Sequence, residues 1–555
     1  MLHQNPFFFY HYTMKTLKAL FAEFPLKIVS GTLDATPVNK ITADSRKVDA
    51  GDLFVAMAGE YFDGHKFIAN AIEQGAAAIV GEKPLKDLSA PYIQVENARQ
   101  SLAHLAAAYY DHPARKLTMV GITGTDGKTT TSNFLYQILR EAKLKVGMIS
   151  TVNAIIGDQV LDTGFHVTTP DASDTQRYLA QMVDAGLTHV ILETTSHGWA
   201  QYRVDACEFD VGIVTNITHE HLDYHGSYEA YRAAKARLFT SLGDTVDKPQ
   251  GNPRLAVLNK DDISYDYLSC VAPGHQACYS VDKEATARAD SVKHLPDGIE
   301  FDIIGTAQPL SGGLSSPERS EGCIEARSRR ADFSVPVKTK LVGAYNVSNI
   351  LAAFSAAVFG LGIDPETAAR GIANLDGIPG RMERIDMGQD FTVIVDFAHT
   401  PFALKAAIES AREMTDGRVI ALFGSAGLRD REKRRMMAEV SAELADLTVL
   451  TAEDPRTESL REILSEMASG AVDKGGIEEE SFWRVEDRGA AILFALRLAK
   501  HNDVVLVCGK GHEQSMCFGE IEYPWDDRIA TRAALGKFLG VDAPEMPYLP
   551  TQDKE

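Results

Sequence analysis

The sequence predicts an α/β protein of three domains. Three observations lead to this prediction: the length of 555 residues, a strand–helix rhythm that occurs twice, and a Gly/Thr-rich loop between one strand and its helix. A chain of this length exceeds one ordinary domain. We place the domains at residues 14–116, 117–379 and 380–555. Strands that alternate with helices are typical of mostly parallel, doubly wound sheets.

The predicted elements follow the hydrophobic pattern. Short apolar runs predict strands, and 3.6-residue periodicity predicts helices. The first domain, a small α/β unit, has predicted strands at residues 52–57 and 76–80. The second has strands at residues 117–122, 189–192 and 211–214, and helices at residues 130–142, 173–185 and 228–239. The third is a smaller, Rossmann-like sheet with strands at residues 393–396, 419–423, 447–450 and 504–507.

Two segments lie outside this pattern. Residues 305–330 are rich in Gly, Ser and charge, so we expect a disordered surface insertion in the second domain. Residues 1–13 lack the basic start and cleavage site of a signal peptide, so we expect a disordered extension, with Met14 as an alternative start.

Composition excludes several classes. The net charge of −21 argues against a nucleic-acid binder. The six cysteines form no CxxC pair, which favours a reducing, cytoplasmic compartment. No apolar run reaches the roughly 18 residues that a membrane span needs.

The strongest local signal is the loop GTDGKT at residues 124–129. Glycines permit close backbone approach to phosphates, and the following helix N-terminus supplies amide donors. Lys128 would reach the β- and γ-phosphates, and the Thr129 hydroxyl would face Mg²⁺. The general P-loop pattern expects glycine where this chain has Ile122. The alternative is a Gly-rich turn without a ligand. The candidate nucleotide-binding residues of this loop are Gly124, Thr125, Gly127, Lys128, Thr129 and Thr130.

Glu193 and His221 are candidate metal ligands. Each follows a predicted strand, so both should point from the carboxyl edge of the sheet. Mixed oxygen and imidazole ligands accommodate Mg²⁺ or Mn²⁺. The alternative for His221 is a histidine that packs or caps a loop. Lys235, on a predicted helix, would by sequence alone be a solvated lysine.

Ordered motifs resemble the Mur ligase family, in its MurE-type branch. The nucleotide loop resembles that family's GTxGK(S/T), and further blocks follow in the family's order over some 400 residues. These blocks are TTP at 168–170, LETTSHG at 192–198, TNITHEHLDYHG at 215–226, YRAAK at 231–235, LVGAYNVSN at 341–349, GRMER at 380–384, DFAHTP at 396–401, GLRD at 427–430 and GKGHE at 509–513. The segments DSR at 44–46 and DGH at 63–65 resemble the domain with which MurE-type enzymes hold the UDP end of their substrate.

The resemblance implies an ATP-dependent, Mg²⁺-requiring ligase. Such an enzyme adds the third, diamino acid residue to UDP-MurNAc-L-Ala-D-Glu through an acyl phosphate, in peptidoglycan precursor synthesis. It also implies that Lys235 is carbamylated and joins Thr129, Glu193 and His221 at the metal, with Lys128, Lys235 and His221 in catalytic roles. ATP would further meet Asn346, Arg381 and Asp396. The UDP-linked peptide would meet Ser45, Thr168, Thr169, Thr195, Gln201 and Arg203. The amino acid would meet Arg429, Glu453, Asp454, Arg456, Gly509 and Glu513.

The identity of the amino acid stays open between three candidates. The resemblance implies that members adding meso-diaminopimelate carry a DNPR motif, whose arginine clamps the distal carboxylate of that amino acid. In this chain the matching residues 453–456 read EDPR. Asp454 places a negative charge where an amide would meet the substrate, which favours an ammonium group. Arg456 argues for a carboxylate, unless it pairs with Asp454. We expect meso-diaminopimelate first, then L-lysine or L-ornithine.

Two alternatives remain for the whole chain. One is another ligase with the same core, such as folylpolyglutamate synthase. The other is a non-catalytic, nucleotide-binding relative, which would be expected to have lost Lys128, Glu193, His221 or Lys235. We expect a monomer without nucleic-acid or membrane partners.

Overall fold

The computed structural model describes residues 14–59, 63–161, 168–218, 222–295, 297–305 and 332–552. Three sheets follow one another along the chain, and each has its own apolar core. The predicted three-domain α/β fold is confirmed. Among the described residues, no helix is both long enough and apolar enough to cross a membrane.

The first domain is a small sheet in the order β2-β7-β6-β5-β4, parallel except for β2. β1 pairs with β3 beside it. Its elements are β1 (Lys15–Thr16), α1 (Leu17–Leu20), β2 (Ile28–Ser30), β3 (Pro37–Val38), β4 (Ile41–Thr42), β5 (Leu53–Ala56), α2 (Ile68–Glu73), β6 (Ala78–Gly81), β7 (Tyr92–Val95) and α3 (Ala98–Tyr109).

The second domain has one long mixed sheet in the order β11-β10-β9-β12-β8-β13-β14-β15-β16-β17-β18. One core packs α4, α10 and α11 against one face, and another packs α5 and α8 against the other, so the sheet is doubly wound. Its elements are β8 (Thr118–Thr123), α4 (Lys128–Glu141), β9 (Val146–Ile149), β10 (Ala154–Ile156), β11 (Gln159–Leu161), α5 (Ala172–Asp184), β12 (His189–Glu193), α6 (Ser196–Ala200), β13 (Val211–Val214), α7 (Leu222–His225), α8 (Tyr228–Asp244), β14 (Leu255–Asn259), α9 (Tyr265–Val271), β15 (His275–Ser280), β16 (Ala287–Leu295), β17 (Gly298–Gly305), β18 (Phe333–Thr339), α10 (Tyr345–Ser355) and α11 (Pro365–Ala373).

The third domain has a sheet in the order β19-β20-β24-β21-β22-β23, parallel except for β19, and a separate hairpin of β25 and β26. Helices cover both faces. Its elements are β19 (Glu383–Arg384), β20 (Thr392–Asp396), α12 (Pro401–Glu413), β21 (Val419–Phe423), α13 (Glu432–Leu444), β22 (Leu447–Leu450), α14 (Leu460–Asp473), β23 (Phe482–Arg484), α15 (Arg488–Leu498), β24 (Val504–Cys508), β25 (Ser515–Phe518), β26 (Ile521–Pro524) and α16 (Asp527–Leu539).

Several observed strands of the second sheet were not predicted, among them the parallel strands β9, β14 and β15 and the strands of its far edge. The antiparallel strands β16, β17 and β18 were not predicted, because their half-buried alternation extends a sheet whose centre is parallel. The proposed insertion begins one residue too early, since Gly305 pairs with Phe333 inside this edge. The rest of the insertion, from residue 306, and the extension 1–13 lie outside the described residues.

Candidate active site

The site of the second domain forms where three neighbouring strands end. β12 and β13 lie on either side of β8, and all three are parallel. In this register Glu193 lies beside Ile122, and Val214 lies beside Thr123. The glycine-rich loop, Glu193 and the segment after β13 therefore meet at the carboxyl edge of the sheet, where α/β folds bind ligands.

Two glycines let the loop between β8 and α4 close on its neighbours. Gly124 has φ +154° and Gly127 has φ +82°, which disfavour any side chain. A Cβ at Gly124 would lie 1.8 Å from Thr215 Oγ1, and one at Gly127 would lie 2.2 Å from Asn349 Oδ1. The amides of Thr125 and Asp126 donate to the Asn216 carbonyl and side chain, at 2.8 and 2.9 Å. The loop is thus held to the end of β13.

Lys128 and Thr129 begin α4 directly after this loop. The Lys128 ammonium donates to the carbonyl oxygens of Gly124 and Thr125, at 3.1 and 2.8 Å. The Thr129 hydroxyl donates to Glu193 Oε2 at 3.1 Å. Thr129 and Glu193, which the sequence analysis placed together at the metal, are therefore in contact.

Glu193 is fully buried, and only one of its oxygens is satisfied by described residues. Oε2 accepts hydrogen bonds from Thr129 and, at 2.9 Å, from Thr151, whereas Oε1 has no partner among the described residues. Burial raises the pKa of Glu193, while the positive charges of Lys128 and Arg381 lower it. A buried carboxylate oxygen without a partner is costly, so it indicates a missing cation or donor at this point.

Lys235 lies against the same loop, on α8. Its side chain is buried, and its Nζ donates to the Gly124 carbonyl at 2.6 Å and lies 4.6 Å from the centre of the Tyr231 ring. Tyr231 in turn shares a hydrogen bond of 3.0 Å with Thr125. The solvated lysine that the sequence alone favoured is therefore wrong, and Lys235 is part of the loop's surroundings.

Asn346 is connected to the loop through the side-chain amide of Asn349. Its Oδ1 accepts a hydrogen bond of 3.0 Å from Asn349, whose own Oδ1 faces Gly127. Both amides are buried at the start of α10. Thr130 is also buried, inside the first turn of α4.

Several of the predicted peptide-substrate residues form one network beside Glu193. Arg203 donates to the Thr169 carbonyl at 2.7 Å and to Gln201 Oε1 at 2.7 Å. The Thr169 hydroxyl bonds Thr195, and the Thr168 hydroxyl lies 3.2 Å from that of Thr151. Ser45 is separate from this network: it lies on the helical turn Ser45–Lys47 of the first domain, and its side chain makes no hydrogen bond with a described residue.

The third domain contributes Arg381 and Asp396. Asp396 ends β20 and accepts hydrogen bonds from the amides of Met382 and Ala398, at 2.7 and 2.8 Å. Arg381 lies with its guanidinium carbon 4.5 Å from the centre of the Phe397 ring. Its charge also lowers the pKa of Glu193 against the effect of burial. Arg381 therefore faces the site of the second domain.

The predicted amino-acid residues follow the other strands of the third sheet. Glu453 follows β22, and Gly509 follows β24, where a Cβ would lie 2.2 Å from Glu453 Oε2. Glu453 is buried, and Oε2 has no hydrogen-bond partner among the described residues. Burial raises the pKa of Glu453 to about 7, although Lys433, Arg488 and Lys510 oppose that shift.

Asp454 pairs with a lysine that was not predicted. Both of its carboxylate oxygens lie 3.1 Å from Lys510 Nζ, and Oδ1 also accepts the Cys517 amide at 2.9 Å. Lys510 is fully buried and also pairs with Glu513. The negative charge that distinguishes EDPR from DNPR is therefore compensated inside the protein.

Arg456 does not pair with Asp454. The Arg456 backbone is held by the hairpin, since its amide donates to the Cys517 carbonyl at 3.1 Å and its carbonyl accepts the Gly519 amide at 2.8 Å. Its half-buried guanidinium makes no hydrogen bond or ion pair with a described residue. Arg429 is exposed on the loop after β21. That loop is braced by Glu458, which accepts the Leu428 amide at 2.5 Å.

The structure thus brings the predicted residues together in two adjoining groups, one on each of the last two domains. His221 lies outside the described residues, so its placement stays a prediction. Sequence reasoning missed Thr151, Asn349 and Lys510. Asn349 and Lys510 stood inside recognised motifs, which was the available signal, whereas Thr151 carried none.

Comparison with known proteins covers the same three regions. Family models match residues 37–110 ("Mur ligase family, catalytic domain"), 122–357 ("Mur ligase middle domain") and 380–511 ("Mur ligase, glutamate ligase domain"). A UDP-N-acetylmuramoyl-L-alanyl-D-glutamate–2,6-diaminopimelate ligase of Geobacillus thermodenitrificans is 38% identical over 492 residues, which cover 89% of this chain and 94% of that protein. A UDP-N-acetylmuramyl-tripeptide synthetase of Roseiflexus sp. is 39% identical over 90% of this chain and 96% of its own length.

Solved structures are similar across most of the chain. The structure of a UDP-N-acetylmuramoyl-L-alanyl-D-glutamate–2,6-diaminopimelate ligase matches with a TM-score of 0.62 and 26% identity, covering 95% of this chain and all of that one. A folylpolyglutamate synthase of Mycobacterium tuberculosis matches with a TM-score of 0.56 and 16% identity, over 80% of this chain and 95% of its own length. The second likeness concerns the fold alone.

The raised pKa of Glu453 predicts a pH-dependent stability. Because the unfolded carboxyl titrates near 4.5 and the folded one near 7, the folded state binds more protons between these values, and stability falls as pH rises through that window. Glu453→Gln removes the titrating carboxyl group, so its stability should not fall over this window. We expect its free energy of unfolding to exceed that of wild type by a margin that grows between pH 4.5 and pH 7 to about 3 kcal/mol and then stays constant.

Thermal unfolding scans of both proteins at pH 5 and pH 8 measure this difference in stability. The exposed Glu520→Gln should track wild type at both pH values. An unchanged difference between wild type and Glu453→Gln at the two pH values contradicts the raised pKa.

Proposed function

Because this chain belongs to the Mur ligase family, we infer that it is an ATP-dependent amide ligase that adds a diamino acid to UDP-MurNAc-L-Ala-D-Glu. The observation that carries this inference is the 38% identity to a ligase of that name over 89% of the chain. The match includes all three domains, and hence both groups of site residues. The folylpolyglutamate alternative is not favoured, since that likeness is limited to the fold.

The residues of the second domain fit a nucleotide triphosphate. Gly124 and Gly127 add no side chain to the loop, α4 begins directly after it, and Lys128 supplies a cation. In our proposal the Lys128 ammonium leaves the loop carbonyls to bind the β- and γ-phosphates, and Asn346 lies on the adenine side. Arg381 and Asp396 complete the site from the third domain, so that the activated carboxyl group is shielded from water.

The donor set also fits magnesium. The unpartnered Glu193 Oε1 and the adjoining Thr129 hydroxyl are hard oxygen ligands of the kind that Mg²⁺ prefers. When bound, Mg²⁺ would offset the repulsion between the substrate carboxylate and the γ-phosphate. We carry over His221 and a carbamylated Lys235 as further ligands on the family resemblance.

The network of Thr168, Thr169, Thr195, Gln201 and Arg203 lies beside this metal position. We propose that it holds the peptide part of the UDP-linked substrate, so that the terminal carboxylate of the D-glutamate residue reaches the γ-phosphate. Arg203 is already oriented by Gln201 and Thr169, which supports a role in binding an anionic group. Ser45, in the first domain, would contact the UDP end.

We propose meso-diaminopimelate as the amino acid. Asp454 is paired with Lys510, which it shares with Glu513, and this pairing weakens its attraction for an ammonium group at the distal end of the substrate. Arg456 is not engaged with Asp454 and can bind the distal carboxylate, with Arg429 on the loop after β21 and Gly509 and Glu513 on the loop after β24. The named relatives that use 2,6-diaminopimelate agree with this assignment.

We also propose a cytoplasmic, monomeric enzyme. The five cysteines that the structure describes are free thiols, which supports a reducing compartment.

The proposed function predicts that phosphate release depends on both substrates. Purified protein should release phosphate from ATP only when UDP-MurNAc-L-Ala-D-Glu and meso-diaminopimelate are both present. Lys128→Ala should lower the rate by about 100-fold or more, since it removes a cation from the transferring phosphoryl group. The exposed Lys116→Ala serves as the control. Phosphate release with a folate substrate, or none with any muropeptide, contradicts the proposed function.

The proposed role of Arg456 predicts the selectivity between amino-acid substrates. Arg456→Gln should lower kcat/KM for meso-diaminopimelate relative to L-lysine by about 10- to 100-fold, since one charge-assisted hydrogen-bonding group is lost. Asp454→Asn should retain the preference for diaminopimelate, because Asp454 is buried and already paired with Lys510. Arg461→Gln, an exposed arginine paired with Glu486, is the matched control. An Arg456→Gln enzyme with unaltered selectivity would exclude Arg456 from the distal subsite.

The proposed carbamylation of Lys235 predicts a chemical rescue. If its carbamate supplies a carboxylate, Lys235→Ala should be nearly inactive and should regain activity in millimolar short-chain carboxylic acids. Lys128→Ala, which lacks a cation instead, should gain nothing from the same acids. Near-normal activity of Lys235→Ala without added acid contradicts carbamylation.

A further inference from the structure

A buried ion pair lies beneath the amino-acid loops of the third domain. Arg488 and Asp527 both have fully buried side chains. Arg488 Nε donates to Asp527 Oδ1 at 2.7 Å, and Nη2 lies 2.6 Å from Oδ2, so the pair is bidentate. The Trp525 indole donates to the same Oδ1 at 2.8 Å. Asp527 is thereby fixed at the first turn of α16, and Arg488 at the first turn of α15.

The remaining guanidinium hydrogens reach two loops. Arg488 Nη1 donates to the Ala452 carbonyl at 3.0 Å, and Nη2 donates to the Cys508 carbonyl at 2.7 Å. Ala452 directly precedes Glu453 and Asp454, and Cys508 directly precedes Gly509 and Lys510. One planar group therefore bonds the backbone at the start of both loops.

These two loops are not otherwise joined by sheet hydrogen bonds at this point. They follow β22 and β24, which are separated in the sheet by β21. Beyond the strand ends, the backbone of Arg456 bonds the hairpin that follows the second loop, and two side-chain contacts join the loops themselves, the Lys510–Asp454 pair and Arg488. Of these contacts, that of Arg488 is made at the start of both loops.

We propose that Arg488, held by Asp527, is a positioning residue that sets the distance between the two amino-acid-binding loops. It acts through Ala452 and Cys508 and touches no reacting atom. A guanidinium suits this task because its planar fork donates several hydrogen bonds in fixed directions, which an ammonium cannot reproduce. Its positive charge also acts on Glu453, where it lowers the pKa that burial raises.

This inference rests on the proposed function and concerns one substrate only. A misplacement of about 1 Å in a binding site can lower the reaction rate by about 100-fold. The phosphate loop and the peptide network lie on the second domain. Asp396 lies on the third, where the backbone pairing of β20 with β24 holds it beside Cys508 without the Arg488 side chain. Loss of Arg488 should therefore raise KM for the amino acid selectively.

The test compares Arg488→Lys with a matched variant at the opposite edge of the same sheet. Arg418 also pairs with an aspartate, since its Nε and Nη2 donate to Asp503 Oδ2 at 3.1 and 2.6 Å. It also donates to a carbonyl, that of Leu498, but at the amino ends of β21 and β24. Steady-state phosphate release should show KM for meso-diaminopimelate raised about tenfold or more in Arg488→Lys, with KM for ATP and for UDP-MurNAc-L-Ala-D-Glu within about twofold of wild type. Arg418→Lys should leave all three KM values within about twofold of wild type.

Asp527→Asn, which keeps the side-chain shape, provides a second variant with the same expected KM pattern. Equal changes in all three KM values, or none in a folded Arg488→Lys, would overturn the positioning role. So would a failure of both variants to fold while Arg418→Lys folds, because Arg488 would then serve stability. An inactive wild type would instead refute the proposed function, which separates the two failures.

Discussion

The parallel register of β8, β12 and β13 is the constraint on which the active site depends. It brings Thr123, Glu193 and Val214 to one edge, and from there the loop, the carboxylate and the segment after β13 are all within hydrogen-bonding distance. A shift of one residue in β12 would move Glu193 to the opposite face of the sheet. The contact between Thr129 and Glu193 is therefore a consequence of backbone pairing rather than of a local motif.

The second general feature is the number of buried charges. Glu193, Glu453 and Asp454 are all withdrawn from water, which is costly unless each carboxylate has a cation or donors. The three cases differ. Asp454 is compensated internally by Lys510, whereas Glu193 and Glu453 each retain an oxygen without a partner among the described residues. In our proposal these two oxygens face ligands, magnesium in one case and the amino acid in the other.

The sequence was sufficient to predict the fold and those site residues that lie close together along the chain. The strands 419–423 and 447–450 were predicted with their observed bounds, because buried parallel strands are continuous apolar runs between clear breaks. The GTDGKT loop was predictable since its signal is contained in six consecutive residues. Thr151 and the pairing of Asp454 with Lys510 were not, because 42 residues separate Thr151 from Glu193 and 56 separate Asp454 from Lys510. The antiparallel edge of the second sheet was missed for a related reason: edge strands carry a weaker pattern than central ones.

The same long-range pairing explains why an aspartate is compatible with the motif that otherwise reads DNPR. Asp454 has φ +40° and Arg456 has φ +52°, a left-handed conformation that few side chains tolerate and that Asn and Asp tolerate best. Replacing asparagine by aspartate therefore preserves the backbone turn, and the amides and carbonyls of the β25–β26 hairpin hold it on both sides. The cost of the added charge is met by Lys510 at 3.1 Å. Because the turn suits either residue and Asp454 is already paired, we expect the substitution to leave the backbone of Arg456 in place. In our proposal Arg456 is thus the residue that selects the distal group of the substrate, and the departure at position 454 alters the interior of the domain rather than its ligand.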